Sequence, residues 1–252
     1  MILGIGQVMY TARYMDPAGS VRTGQYADGT VTSDDVTYDL DEITLLPPVS
    51  PTKIVCVGLN YAKHAEETNS EIPDRPLLFL KPPNAVAAPD SNVRLPSGKE
   101  RIDYEAELAI VIGRQCRDVS ASDADEVIEG YTVMNDISNR DDQSIEQNWV
   151  RGKAFDNSAP LGPVVATPDE VPDDASIRLH LNGDLRQDSS RSDFIFNIPE
   201  LVEEITSYMT LEPGDVISTG TPAGVGPLAD GDEVSITIEG IPPLTHTVAV
   251  SD

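Results

Sequence analysis

The chain has 252 residues, 43 of them acidic and 17 basic, for a formal net charge of −26, and 39% of it is hydrophobic. The absence of a basic stripe excludes a nucleic-acid-binding surface, and the apolar share excludes general disorder because a sizeable core can be buried. No apolar run approaches the roughly 18 residues of a membrane span, and the N-terminus lacks a basic n-region and cleavage site, so a cytoplasmic protein with neither membrane nor nucleic-acid partners is expected.

Residues 1–47 read as a small β-rich segment whose short strands join at Pro17-Ala18-Gly19 and Ala27-Asp28-Gly29. Pro47-Pro48-Val49-Ser50-Pro51 is a stiff connector into 48–252, the expected catalytic domain, which opens on a buried-type strand at 53–57. Further strands are predicted at 77–80, 104–112, 131–136, 177–182, 215–219 and 233–238. One helix is predicted from Ser122, with Asp125 and Glu126 in its first turn, and another from Ile198 to Met209 behind Asn197 as a cap. With 20 prolines and 18 glycines spread among many short strands, a β-rich α+β fold is expected over a doubly wound parallel sheet. Cys56 and Cys116 sit apart in apolar contexts and read as buried thiols of a reducing compartment.

The chemistry concentrates in a few places. Glu105 and Glu107 lie two apart on a predicted strand and share one face, roughly 7 Å apart. Asp136 ends a second apolar segment. Like charges so placed repel unless a cation lies between them, and an all-oxygen set selects a hard ion, Mg2+, with Mn2+ or Ca2+ as alternatives. In so acidic a chain, solvated surface carboxylates are the competing explanation. His64 and Glu67, at i and i+3 on a predicted helix, form either an oriented general base or an exposed ion pair. Elimination favours His64, because the other two histidines, His180 and His246, fall in strand-like segments. Lys153 lies between Gly152 and Ala154, an apolar setting suited to an oxyanion or a substrate carboxylate, or else to a lysine snorkelling from a loop. The glycine-rich stretch at Gly220, Thr221, Gly224 and Gly226 can present N–H groups to an anion or serve as a plain turn.

Taken together, Gly58-Leu59-Asn60-Tyr61 with His64 and Glu67, Tyr104-Glu105-Ala106-Glu107-Leu108, Asn135-Asp136-Ile137-Ser138 with Arg140 and Gln143, Gly152-Lys153 with Phe155, and Ser218-Thr219-Gly220-Thr221-Pro222 with Gly224 resemble the fumarylacetoacetate hydrolase family. The resemblance runs from about residue 53 to the C-terminus, and the longer branch of the family has a larger N-terminal domain than this chain. It implies a mixed β-sandwich roll, usually dimeric, with Mg2+ held by Glu105, Glu107 and Asp136. It also implies a His64–Glu67 dyad on a lid, Lys153 and Gln143 near the reacting oxygens, Arg140 and Gly220 in substrate binding, and Thr221 at the substrate carboxylate.

The expected substrate is a small 2-oxo acid of the acylpyruvate type, cleaved by C–C hydrolysis through a metal-stabilised enolate. Alternatives using the same enolate are isomerisation of 2-hydroxyhepta-2,4-diene-1,7-dioate, oxaloacetate decarboxylation and 3-deoxy-2-oxo sugar-acid dehydration. A Ca2+-stabilised binding protein without turnover is the reading from outside enzymology.

The basic residues are 12 Arg and 5 Lys. A lysine-poor, strongly acidic surface around an ordinary core points to adaptation to high salt, where screening removes self-repulsion. The melting temperature should therefore rise from dilute buffer to molar KCl in a calorimetric scan. A value insensitive to salt would reject that adaptation.

Overall fold

A computed structural model describes residues 10–250. Its largest feature is a mixed sheet of twelve strands. At its centre the strand Ala106–Ile112 pairs antiparallel with Ile128–Asn135 on one side and with Val216–Ser218 on the other. The latter runs parallel to Ile54–Val57, which pairs with the edge strand Leu78–Lys81. Every residue of Ala106–Ile112 is buried. This explains its near-continuous Val/Ile/Leu/Ala run, since a strand covered on both faces has no solvent side to mark with polar residues.

On the far side of Ile128–Asn135, the strand Ala159–Ala166 joins the sheet and then pairs with Tyr10–Met15. The described part of the N-terminal segment thus extends this sheet through three more strands, Val21–Ala27, Thr30–Ser33 and Val36–Asp39. Its first nine residues lie outside the described residues. The predicted turn at Asp28-Gly29 is a tight hairpin with positive φ at both residues, 47° and 80°.

A five-stranded sheet, built around Ser176–Leu181, Glu233–Ile238 and Ile241–Val250, packs against the large one. Ile177, Leu179, Val234, Ile236 and Leu244 meet Leu108, Ile110 and Val133 in one core. The fold is the β-rich roll expected, and the helices are few. The predicted helix behind Asn197 is Ile198–Tyr208: Asn197 Oδ1 accepts from Glu200 N at 3.0 Å and Glu200 Oε2 accepts from Asn197 N at 2.9 Å. The helix predicted from Ser122 is only a 3-10 turn, Ala121–Glu126. Six residues with three carboxylates, followed at once by a strand, give no apolar stripe long enough to hold an α-helix. Cys56 and Cys116 are free and buried, as expected. Among the described residues no helix is long and apolar enough to cross a membrane.

His246, predicted in a strand, is buried between the sheets, where its Nε2 lies 2.9 Å from Asn135 Nδ2. Nε2 accepts that hydrogen bond, and Nδ1 faces the Thr247 carbonyl. Burial pushes the imidazole down from its ordinary 6.5 to about 4. The folded ring is therefore neutral between those values while the unfolded ring is charged. The stability due to its burial is complete above pH 6.5 and is lost as pH falls toward 4, with a ceiling of about 3 kcal/mol. In molar KCl, His246→Gln should show a smaller stability loss than the wild type between pH 7 and pH 4.5 in urea titrations. Equal losses would contradict the neutral, buried ring.

Candidate active site

The antiparallel register sets Ala106 opposite Asn135 and Glu107 opposite Met134, bringing Glu105, Glu107 and Asp136 to one end of two adjacent strands. One oxygen from each lies within 4.8 Å of the others, and all three residues are buried. The predicted strand 104–112 is broken at Glu105. There the backbone is held by side chains: Glu105 N donates to Asn135 Oδ1 at 2.8 Å and Ala106 N to Gln187 Oε1 at 2.9 Å. Asn135 Nδ2 is in turn the donor to His246. The ligand-bearing backbone is thus tied to both sheets.

Burying three carboxylates together is costly unless cations or protons answer them. Lys153 Nζ donates to Glu105 Oε2 at 2.8 Å and to Asp136 Oδ2 at 2.7 Å. Arg140 donates through Nη2 to Glu105 Oε1 at 2.5 Å, through Nε to Asp103 Oδ2 at 2.8 Å and through Nη1 to Gln143 Oε1 at 2.8 Å. Burial acts to raise the Glu105 carboxyl, but Lys153 and Arg140 outweigh it and hold the group well below the usual carboxylate range. Burial likewise acts to lower the Lys153 ammonium, and Asp136 and Glu105 more than reverse it. Glu107 has no such partner. Burial, with Asp136 and Glu105 beside it, drives its carboxyl far up, although its Oε2 accepts from Ser218 Oγ and from Gly220 N at 2.9 Å.

Lys81 is fully buried, with Nζ 2.8 Å from Asp136 Oδ1. The same ammonium is shared with Ile137 O, Ser158 O and Ser158 Oγ, so Asp136 Oδ1 competes with three other acceptors for it. Burial pulls the Lys81 ammonium below its ordinary value, with Asp136 opposing. Three buried carboxylates converging on one point, one of them pushed toward protonation by the other two, make an all-oxygen donor set suited to a hard divalent cation. The three residues fit such an ion.

The His64–Glu67 pair is on a short helix, Ala62–Glu67, at the wall of a cavity of about 870 Å3 that also reaches Glu105, Arg140, Gln143 and Lys153. His64 is 5% exposed, while the Glu67 side chain is 35% exposed, so the imidazole is sheltered and its carboxylate partner faces the cavity mouth. His64 Nδ1 lies 3.1 Å from Glu67 Oε2, and among the described residues Nε2 has no hydrogen-bond partner. Glu67 is held by Gly224 N, at 3.0 and 3.2 Å from its two oxygens. Gly224 has φ of 99°, and a Cβ there would lie 2.2 Å from Arg186 O, so only glycine fits.

Gly220 and Thr221 do not line this cavity. Gly220 N braces Glu107, while the Thr221 hydroxyl donates to Ala106 O at 3.0 Å and accepts from Gln187 Nε2 at 2.9 Å. Both support the carboxylate strand from behind. Lys81, Asp103 and Gln187 complete the site from positions outside every motif quoted above, and Asn135 and Ser218 do so from inside those motifs, where spacing assigns them no role. A fully buried lysine in a chain with only five is the one signal that pointed that way, and burial shows only in the fold.

The fumarylacetoacetate (FAA) hydrolase C-terminal family profile matches residues 53–249. A relative from Bos taurus named oxaloacetate tautomerase FAHD2B, mitochondrial, is 41% identical over 210 residues, covering 79% of this chain and 67% of that one. The crystal structure of 5-carboxymethyl-2-hydroxymuconate delta-isomerase from Mycobacterium smegmatis superposes with a TM-score of 0.88 at 42% identity, over 97% of this chain and 100% of that one. Maleylpyruvate hydrolase from Sphingobium superposes with a TM-score of 0.82 at 30% identity, over 96% and 100%.

Replacing Glu107 with Gln removes a charge from the triad while keeping its size and its bond from Gly220. Calorimetric titration with Mn2+ should then show affinity lower by on the order of 10-fold or more. An unchanged Kd in Glu107→Gln would remove Glu107 from the ion site.

Proposed function

This chain belongs to the fumarylacetoacetate hydrolase family, and from that premise we propose that it is a divalent-metal-dependent enzyme that moves a proton at C3 of a 2-oxo acid, interconverting enol and keto forms or shifting a double bond. The observation that carries this reading is the His64–Glu67 pair, with His64 buried and Glu67 latched by Gly224, on the wall of the cavity that reaches Glu105 of the carboxylate triad. The relatives named as a tautomerase and as an isomerase perform reactions of this kind.

A cation held by Glu105, Glu107 and Asp136, for which we assign Mg2+, would supply Lewis acidity to the 2-oxo and carboxylate oxygens and so acidify C3–H. The chain does the rest. Glu67 fixes the His64 ring through Nδ1, leaving Nε2 to carry the proton between C3 and the 2-oxo oxygen, or between C3 and a further carbon when the double bond shifts, and the Glu67 charge stabilises the imidazolium that forms between. Leu59, Leu77, Trp149 and Val225 line the same cavity and keep bulk water from the carbanionic carbon. Lys153 and Lys81 hold Asp136 and Glu105 in place. We also assign a homodimer: Leu80, on the edge strand Leu78–Lys81, and nearby Leu77 are each about half exposed, an apolar surface suited to a second copy.

C–C hydrolysis, the expectation from sequence, is the second reading, and the fold shared with a maleylpyruvate hydrolase favours it. There His64 would deprotonate a water that adds to C4, the C3–C4 bond would break, and C3 would be protonated. Hydrolysis needs an oxyanion donor as well as a base. Two of the three Lys153 N–H groups are already committed to Glu105 and Asp136, which is why proton transfer stands first. A purely structural Ca2+ site has no use for the His64–Glu67 pair.

His64→Ala should slow solvent exchange of C3 protons of oxaloacetate or an acylpyruvate by about 10²–10⁴-fold. Mn2+ affinity should stay within about twofold, since His64 is not in the triad. Glu67→Gln should be a milder copy. If C3 exchange survives His64→Ala while acylpyruvate cleavage is lost, hydrolysis is the function; if both survive, the dyad is not the base.

A further inference from the structure

Three of the 17 basic residues of this acidic chain, Arg101, Arg140 and Lys153, line the cavity described above, together with Glu67, Glu71, Asp103 and Glu105. They are not equivalent. Lys153 is buried on two carboxylates, and each nitrogen of the Arg140 guanidinium already has an acceptor. Arg101 differs. Its Nε donates to Asp103 Oδ1 at 3.0 Å and Oδ2 at 3.2 Å, and its two terminal nitrogens make no hydrogen bond with any described residue. Asp103 is fully buried and also holds Arg140, so the Arg101 stem is anchored to a fixed carboxylate while its side chain stays 55% exposed.

Arg101, Asp103, Glu105 and Glu107 alternate along one stretch of chain, with Arg101 at the opposite end from the triad. In extended backbone, four residues span about 13 Å. The Arg101 side chain turns back toward Asp103 and shortens that gap. A guanidinium held at Nε and open at its terminal fork matches a carboxylate bidentately. With the 2-oxo acid head at Glu105, as the reading above has it, the open fork on the same cavity wall is placed for the other end of a substrate several carbons long.

We infer that Arg101 binds a second carboxylate, making the cavity selective for 2-oxo dicarboxylic acids over monoacids of equal length. This rests on the 2-oxo acid reading above and adds to it the substrate class and the residue that sets it. Arg101 touches the distal end of the substrate and takes no part in the proton transfer, so the selectivity appears in binding.

The test is calorimetric titration of the Mg2+-loaded protein, at fixed ionic strength, with 2-oxoadipate and 2-oxohexanoate, which differ only in the terminal carboxylate. Neither has to be turned over. The wild type should bind the diacid about tenfold or more tightly, the scale of one charge-assisted bidentate contact. In Arg101→Met the two Kd values should converge to within about twofold, through weaker diacid binding. Arg101→Lys should restore part of the preference, as a point charge without the fork. Unchanged Mn2+ affinity in both variants would show that the carboxylate strand is intact. Equal binding of the two acids by wild type, or a preference surviving in Arg101→Met, would overturn the assignment of Arg101. If Mg2+ binds but neither acid does, the 2-oxo acid reading itself fails, and this inference with it.

Discussion

Everything in the site follows from placing Glu105, Glu107 and Asp136 together out of water. Desolvating one carboxylate costs several kcal/mol, and three repel one another as well. The fold answers each in a different way. Glu105 is matched by Lys153 and Arg140, Asp136 by Lys153 and Lys81, and Glu107 only by hydrogen bonds from Ser218 and Gly220. The compensation is incomplete at Glu107, and that unevenness suits the cluster to a divalent cation where a self-satisfied ion-pair network would not.

The glycine-rich stretch after Val216–Ser218 links the two halves of the chemistry. Gly220 N–H braces the carboxylate strand at Glu107, and four residues later Gly224 N–H holds Glu67 on the short helix that carries His64. Backbone donors lose little entropy on binding and cannot swing away, so the carboxylate triad and the His64–Glu67 pair keep a common reference frame. Gly220 and Gly224 both have positive φ and closely approached neighbours, Asn60 and Arg186, which is why side chains are absent there.

Charge is distributed with a matching economy. The chain is strongly acidic, and four of its few cations, Lys81, Arg101, Arg140 and Lys153, are placed on the buried carboxylates Asp103, Glu105 and Asp136. In the cavity Arg101, Arg140 and Lys153 stand among Glu67, Glu71, Asp103 and Glu105, so the cations there mainly answer neighbouring carboxylates, and a divalent cation at the triad would add the positive charge that an acidic protein otherwise lacks.

The β-rich class was legible in the sequence, because short apolar runs and turn residues carry a period that survives without tertiary context. The Asp28-Gly29 hairpin and the Asn197–Glu200 cap are local interactions and could be read directly. The triad and the dyad were legible as types and spacings, since Glu-x-Glu on a strand and His-x-x-Glu on a helix each share a face by geometry. What only the tertiary structure decided is what those groups meet. Whether Lys153 faces an oxyanion or Asp136, whether Thr221 faces a substrate or Ala106 O, and that Lys81, Gln187 and His246 reach the site at all depend on strand register and sheet packing. Those partners lie from 17 to 115 residues apart in the chain. Spacing along a chain encodes faces, but the energy of a buried charge is set by neighbours that long-range pairing brings near.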